Sequence, residues 1–217
     1  QAEITCTVAP AIIVYNAYEC AKEEALSTEV TDDDLRNAVE DEFGVKYSKD
    51  WKRLLKAPSG LEGEYSIRKG VKVIGNSAFW FCSSLTNINI PNSVTNIGDL
   101  AFRGCYSLTS INIPDSVTNI GSGAFSGCGS LTSINIPDSV TNIEDSAFWG
   151  CVSLTNINIP NSVTNIGDEA FKFCESLTSI NIPDSVTNIG NKAFWKCHNL
   201  PSKIKADIIQ RFGEEVF

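Results

Sequence analysis

Cys82, Cys105, Cys128, Cys151, Cys174 and Cys197 recur every 23 residues, and Phe79, Phe102, Phe125, Phe148, Phe171 and Phe194 keep the same period. Five complete units follow the pattern SLTxINIPxSVTNIxxxAFxxCx, opening at Ser84, Ser107, Ser130, Ser153 and Ser176. A partial unit precedes them, with Ile67, Val71, Ile74, Ala78 and Phe79 at matching offsets. Leu200 opens another that stops at Pro201. A fixed period of this order marks a stacked architecture, because one unit cannot bury its apolar face alone. Each unit carries about eight apolar side chains, so neighbouring units must supply one another's core. The repeat therefore predicts a one-dimensional stack of coils.

Within a unit, Ile88 and Ile90 fall on one face of a short strand, and Asn87 and Asn89 on the other. Pro91 cannot donate to a ladder and ends the strand. Val94, Ile97, Ala101, Phe102 and Cys105 return to the interior on the far side of the coil. The units resemble the BspA-like class of bacterial leucine-rich repeats, marked by IPxSVTxIGxxAFxxC. Residues 65–200 carry the pattern, as in Ile113-Pro114-Asp115-Ser116-Val117 and Ala124-Phe125-Ser126-Gly127-Cys128. Arg68 departs from it where later units have proline, and Glu144 where the others have glycine, so the turn there need not demand a positive φ. The expected fold is an α/β leucine-rich repeat solenoid with a parallel strand layer on its concave side and helical caps at both ends. The resemblance implies a secreted or cell-surface bacterial binding protein, often linked to adhesion, and brings no catalytic residue with it.

A stack of coils needs covered ends. Residues 201–217 read as a C-terminal capping helix, with Ile204, Ile208, Ile209 and Phe212 on one stripe, Pro201 at its start and Gly213 as its stop. The RFG-containing tail resembles endings of the family, which implies a chain end at Phe217. Residues 1–62 read as an N-terminal cap of helices and a short hairpin. One helix is expected from about Pro10 to Leu26. A second starts at Thr31 with Asp32, Asp33 and Asp34 in its first turn and runs through Leu35, Ala38, Val39 and Phe43 to Gly44. The hairpin turns near Asp50. Residues 63–200 form the repeats.

The 217 residues carry a net charge of −9, which argues against a nucleic-acid surface. No run approaches the roughly 18 apolar residues of a membrane-spanning helix. Methionine is absent, so Gln1 is not an initiator, compatible with a removed secretory signal or a trimmed chain. There is no GxSxG elbow, P-loop or HExxH. Acidic pairs such as Glu144-Asp145 and Asp168-Glu169 read as solubilising surface. The sequence points to no enzyme, no cofactor and no metal site. It also contains no N-x-S/T sequon.

Three sets of residues remain as candidates. The periodic cysteines read as buried, unreactive thiols, whereas Cys6 and Cys20 lie outside the repeat and could bridge in an oxidising compartment, a pairing the sequence leaves open. On the strand face, Asn87, Asn89, Asn112, Asn135, Asn158 and Asn181 form a polar row able to hydrogen-bond a protein or glycan, or simply to solubilise. Variation concentrates on the convex return, where the columns flanking the core phenylalanine and cysteine hold Trp80, Arg103, Tyr106, Trp149, Lys172 and Trp195. Exposed tryptophan beside arginine and lysine is the composition of binding hot spots, although such rings also pack over gaps between coils. Charge is segregated too. Residues 1–44 hold eleven acidic and two basic side chains, and residues 45–73 hold eight basic and three acidic. The leading expectation is a non-catalytic module binding a protein or glycan partner on a host or neighbouring cell. A structural or self-assembling unit of a surface layer is the alternative, and an enzyme comes last.

Overall fold

A computed structural model describes residues 26–217. Two parallel ladders rise through the stack. The first joins β4 (Gly63–Ser66), β6 (Leu85–Asn89), β8 (Ser110–Asn112), β10 (Ser133–Asn135), β12 (Asn156–Asn158) and β14 (Ser179–Asn181) in sequence order. Identical positions stand opposite one another, Ile88 beside Ile111, then Ile134, Ile157 and Ile180. These isoleucines are buried and the flanking asparagines exposed, as the alternation predicts.

A second ladder was not foreseen. It joins β5 (Val73–Ile74), β7 (Asn96–Ile97) and β9 (Asn119–Ile120), and then separately β11 (Asn142–Ile143), β13 (Asn165–Ile166) and β15 (Asn188–Ile189). Between β9 and β11 the sheet is interrupted. On the return side the core phenylalanines stack face to face, with ring centroids 5.0 to 5.6 Å apart and planes within 7°.

The cysteines follow a hydrogen-bond logic. Cys105, Cys128, Cys151, Cys174 and Cys197 each donate Sγ–H to the carbonyl of the core phenylalanine one unit earlier, at 3.1 to 3.2 Å. That carbonyl also accepts the cysteine N–H of its own unit, as Phe79 does from Cys82, so the thiol takes up its second lone pair. All six are buried and unbridged. Burial pushes Cys82 up to about 11 and Cys151 and Cys197 to about 12, and raises Cys105, Cys128 and Cys174 as well. The thiols are neutral at physiological pH and poor nucleophiles.

The N-terminal end departs from expectation. The helix α1 covers only Asp32–Arg36, closed at its start by a capping box between Thr31 and Asp34. Backbone N–H contacts with Thr31, followed by the Arg53 guanidinium, hold the Asp34 carboxyl below its usual value. The helix does not reach Gly44 because Asp41 Oδ1 accepts the N–H groups of both Phe43 and Val45 at 2.9 Å. This local turn competes with helical bonding and wins. Val39–Glu40 becomes β1 and pairs antiparallel with β2 (Lys46–Tyr47), which pairs antiparallel with β3 (Arg53–Lys56). The hairpin thus turns around Asp50, and β3 continues in parallel into β5. Most of the helix expected over 10–26, with Cys6 and Cys20, lies outside the described residues.

At the other end, α2 spans Ser202–Phe212, with Pro201 as the residue before its first turn and Gly213 (φ +95°) as its stop. Ile208 is buried against the core. Arg211 donates to the carbonyls of Ile182 and Pro183 at 2.8 and 3.0 Å, which covers the edge beyond β14. The last residues close the phenylalanine column: Phe194 N–H donates to Val216 O at 2.7 Å, and the Phe217 ring lies 5.7 Å from Phe194. No helix among the described residues is long and apolar enough to cross a membrane.

Candidate binding face

The return of each unit enters the left-handed region twice. The second of these positions holds Gly104, Gly127 and Gly150 in three units (φ 69 to 73°), but Phe81, Phe173 and Lys196 in the others (φ 56 to 68°). A side chain there costs about 1–2 kcal/mol relative to glycine. Phenylalanine is present where the backbone favours its absence, so what each ring touches matters.

Phe81 meets Trp80 edge to face at 5.2 Å and Tyr106 at 5.8 Å. Its ring lies against Gly104, where a Cβ would come within 3.0 Å of it. Phe173 meets Trp149 at 5.4 Å and Trp195 at 5.0 Å. Two aromatic clusters result, each centred on a phenylalanine in a left-handed turn. Trp80 and Tyr106 remain 47% and 50% exposed, unlike the fully buried core phenylalanines. Lys196 stands 5.0 Å and Lys172 5.1 Å from the Trp195 ring. Lys172 is otherwise engaged, its Nζ 2.7 Å from Glu169.

Between the clusters, the unit of residues 107–129 presents only Ser122, Gly123, Ser126, Gly127 and Gly129 on this face. The missing bulk leaves a cleft of about 480 Å³ lined by Leu100 and Arg103 from the preceding unit and by Ser146 and Trp149 from the following one. The structure therefore gathers five of the six variable-column candidates, Trp80, Tyr106, Trp149, Lys172 and Trp195, into two clusters and sets Arg103 at the cleft between them. Phe81 and Phe173 organise both clusters. Their signal in the sequence was one column holding phenylalanine in two units where three others have glycine.

The strand face is different in kind. Asn87, Asn89, Asn112, Asn135, Asn158 and Asn181 are all exposed, and the last five stand in one register row. The hydroxyls of Thr109, Thr132, Thr155 and Thr178 beside them donate to the threonine carbonyl one unit earlier. This face is uniform, uncharged over its repeats, and free of aromatic side chains.

Asp145 and Asp168 do more than solubilise. In the column Asn76, Asp99, Ser122, Asp145, Asp168 and Asn191, the side-chain Oδ1 accepts the N–H of the next residue in the column. The links run Asn76 to Asp99, Asp99 to Ser122, Asp145 to Asp168 and Asp168 to Asn191, at 2.7 to 2.9 Å. The glycine preceding each column member allows the approach. A Cβ on Gly121 would lie 2.4 Å from Asp99 Oδ1 and 2.6 Å from its backbone nitrogen, with similar clashes at Gly167 and Gly190. These glycines have no left-handed φ, so close packing and not turn geometry selects them. Glu144 is the exception, standing before Asp145 where the other units have glycine. Burial, then the charges of Asp145 and Asp99, raise the Glu144 carboxyl above its ordinary value. No group of three potential metal ligands occurs among the described residues.

Coils of one period, a parallel strand on one side and a stacked phenylalanine column on the other define a leucine-rich-repeat solenoid, a fold used as a non-catalytic scaffold. The BspA type Leucine rich repeat region matches six times over residues 66–217, and the chain belongs to that family. Its structure is similar to the leucine-rich repeat protein TpLRR of T. pallidum, with a TM-score of 0.67 and 26% identity over 84% of this chain and 95% of that one. It is also similar to leucine-rich repeat proteins of Eubacterium ventriosum (TM-score 0.58, 30% identity, 77% of this chain and 51% of that one) and Bacteroides ovatus (0.53, 32%, 74% and 48%). The chain thus spans about half the length of the latter two. No curated protein matches it. Family and fold together support a protein-interaction module.

Proposed function

We propose that the protein is a binding module displayed outside a bacterial cell, and that its variable return face recognises a protein on a host or neighbouring cell. The observation that carries this is the pair of aromatic clusters. Phe81 and Phe173 occupy backbone positions where glycine costs less, and they buttress solvent-facing Trp80, Tyr106 and Trp149. Rigid, preorganised aromatic anchors beside cations supply the area and low ordering cost that interface hot spots need. The asparagine face lacks such anchors. The extracellular part of the reading rests on the resemblance to BspA-like proteins.

The test is a binding screen of the chain against immobilised fibronectin, fibrinogen and a glycan array. Variants Trp149→Ala with Trp195→Ala are compared with Asn135→Ala with Asn158→Ala. Loss confined to the tryptophan variant supports the reading. Loss confined to the asparagine variant, or binding to glycans alone, overturns it. Protease shaving of intact source cells tests the location, and survival of the chain under shaving would refute surface display.

A further inference from the structure

The basic segment 45–73 is not neutralised by the acidic segment before it. Among the described residues only two ion pairs join them, Lys46 with Glu40 at 3.5 Å and Arg53 with Asp34 at 2.9 Å. The first is solvent-exposed on both sides and binds weakly. Lys56 pairs with no described carboxylate. It stands beside a cleft of about 570 Å³, formed where the cap meets the first coil. Leu35, Ala57 and Pro58 supply apolar lining, Trp80 and Phe81 a further aromatic wall, and Lys46 and Lys56 the charge. In a chain of net charge −9, a positive, aromatic-lined cleft is a local inversion of the overall field.

We propose that this cleft docks a segment of a partner protein that carries acidic residues beside an aromatic or large aliphatic side chain. The proposal deepens the binding reading above by assigning a partner chemistry to one end of the variable face. The apolar side chain enters against Trp80 and Phe81, where burial removes exposed ring surface from water. The acidic residues face Lys46 and Lys56, which replaces Lys46's weak exposed contact and gives Lys56 a counter-charge. Two lysines suit a short acidic segment. A dense polyanion such as nucleic acid would meet the repulsion of the remaining chain.

The experiment measures binding of the full chain to three soluble probes: random poly(Glu,Tyr), poly(Glu) and poly(Lys,Tyr). The expected result is binding of poly(Glu,Tyr) that weakens as salt is raised, with poly(Glu) weaker and poly(Lys,Tyr) silent. Lys56→Glu and Trp80→Ala should each reduce poly(Glu,Tyr) binding about tenfold, the scale of one interface hot spot. Both side chains are exposed, so neither change threatens folding, and circular dichroism checks this. Asp138→Asn, in an exposed turn of the stack, should leave this binding unchanged. Absence of poly(Glu,Tyr) binding, poly(Glu) binding equally well, or indifference to both substitutions overturns the proposal. If poly(Glu,Tyr) binding falls only in Trp195→Ala, the N-terminal cleft is refuted while a variable-face reading stands.

Discussion

The junction between residues 107–129 and 130–152 differs from every other in the stack, and the repeat makes the comparison almost a controlled one. At intact junctions Gly98, Gly121, Gly167 and Gly190 each donate N–H to the isoleucine carbonyl one unit earlier at 2.8 or 2.9 Å, and Thr118, Thr164 and Thr187 donate to the residue one period before them at 2.9 Å. Where Glu144 replaces glycine and Ser122 replaces Asp or Asn, the equivalent bonds from Glu144 to Ile120, Thr141 to Thr118 and Asp145 to the Ser122 side chain are missing. The physical cause is the Cβ. A carbon at this position in an intact junction would overlap a backbone nitrogen, which cannot move aside as a flexible side chain can. At Glu144 a Cβ takes that place, and β9 and β11 form no ladder. The phenylalanine column does not notice: Phe125 stacks on Phe102 at 5.4 Å and on Phe148 at 5.6 Å. One edge of the coil is open while the core and the first ladder run through.

The comparison can be broken at several points. The largest effect is expected from Phe125→Ala, which removes a buried ring bridging the open junction. It should cost about 3–5 kcal/mol in urea unfolding, with little rescue from the already weakened edge. Next comes transplanting the break. Gly167→Glu places the same obstruction against Asp145 and should cost about 1–3 kcal/mol, the loss of two or three hydrogen bonds plus strain. Amide exchange at Thr164 and at residue 167 should then accelerate to match the 141–144 segment. An unchanged exchange pattern would show that glycine is not what closes these junctions.

Repair is the converse. Ser122→Asp with Glu144→Gly should zip the two half-ladders and gain about 1–2 kcal/mol. Ser122→Asp alone should destabilise, because its Oδ1 meets the Glu144 Cβ. A double-mutant cycle with no coupling would refute this account. The smallest effect concerns pH. The Glu144 carboxyl titrates above its unfolded value of about 4.5, so the folded state binds its proton more tightly. The stabilisation from that proton is complete below the unfolded value and is lost as pH rises through the raised folded value. Wild type should therefore gain protection at this junction on acidification relative to Glu144→Gln. Equal pH profiles for the two would contradict it.

The parts legible in the sequence are those the repeat writes many times. The Ile88 and Asn89 alternation, the burial of Phe102 and the inert cysteines all follow from period and polarity. The second ladder escaped notice because Asn96–Ile97 is too short for an alternating pattern to register. The Asp99 column was visible as a fixed polar position after glycine, yet its meaning lies in a contact between units 23 residues apart. Asp145 is exposed, as its polarity predicts, but its link to the Asp168 N–H exists only in the stack. The N-terminal cap misled for the opposite reason. It occurs once, and there local helix signals at Thr31 were genuine but the Asp41 turn overrode their continuation. In the variable columns the composition identified Trp80, Trp149 and Trp195. Their grouping around Phe81 and Phe173 depends on which rings the turns bring within reach.

By itself, the sequence determined that this chain stacks. A 23-residue period with a fixed apolar set leaves no other way to bury about eight recurring apolar positions at once, the net charge argued against a nucleic-acid surface, and no catalytic motif stood out. Only the tertiary structure decided where the stack is imperfect and where it is rich. Those properties arise from how closely atoms of successive coils meet: no room for a Cβ at Gly121 or Gly167, a ring laid over Gly104, and Lys56 beside a cleft with no described carboxylate paired to it. Periodicity fixes which residues become neighbours. Whether the neighbours fit is a matter of ångströms that no single unit records.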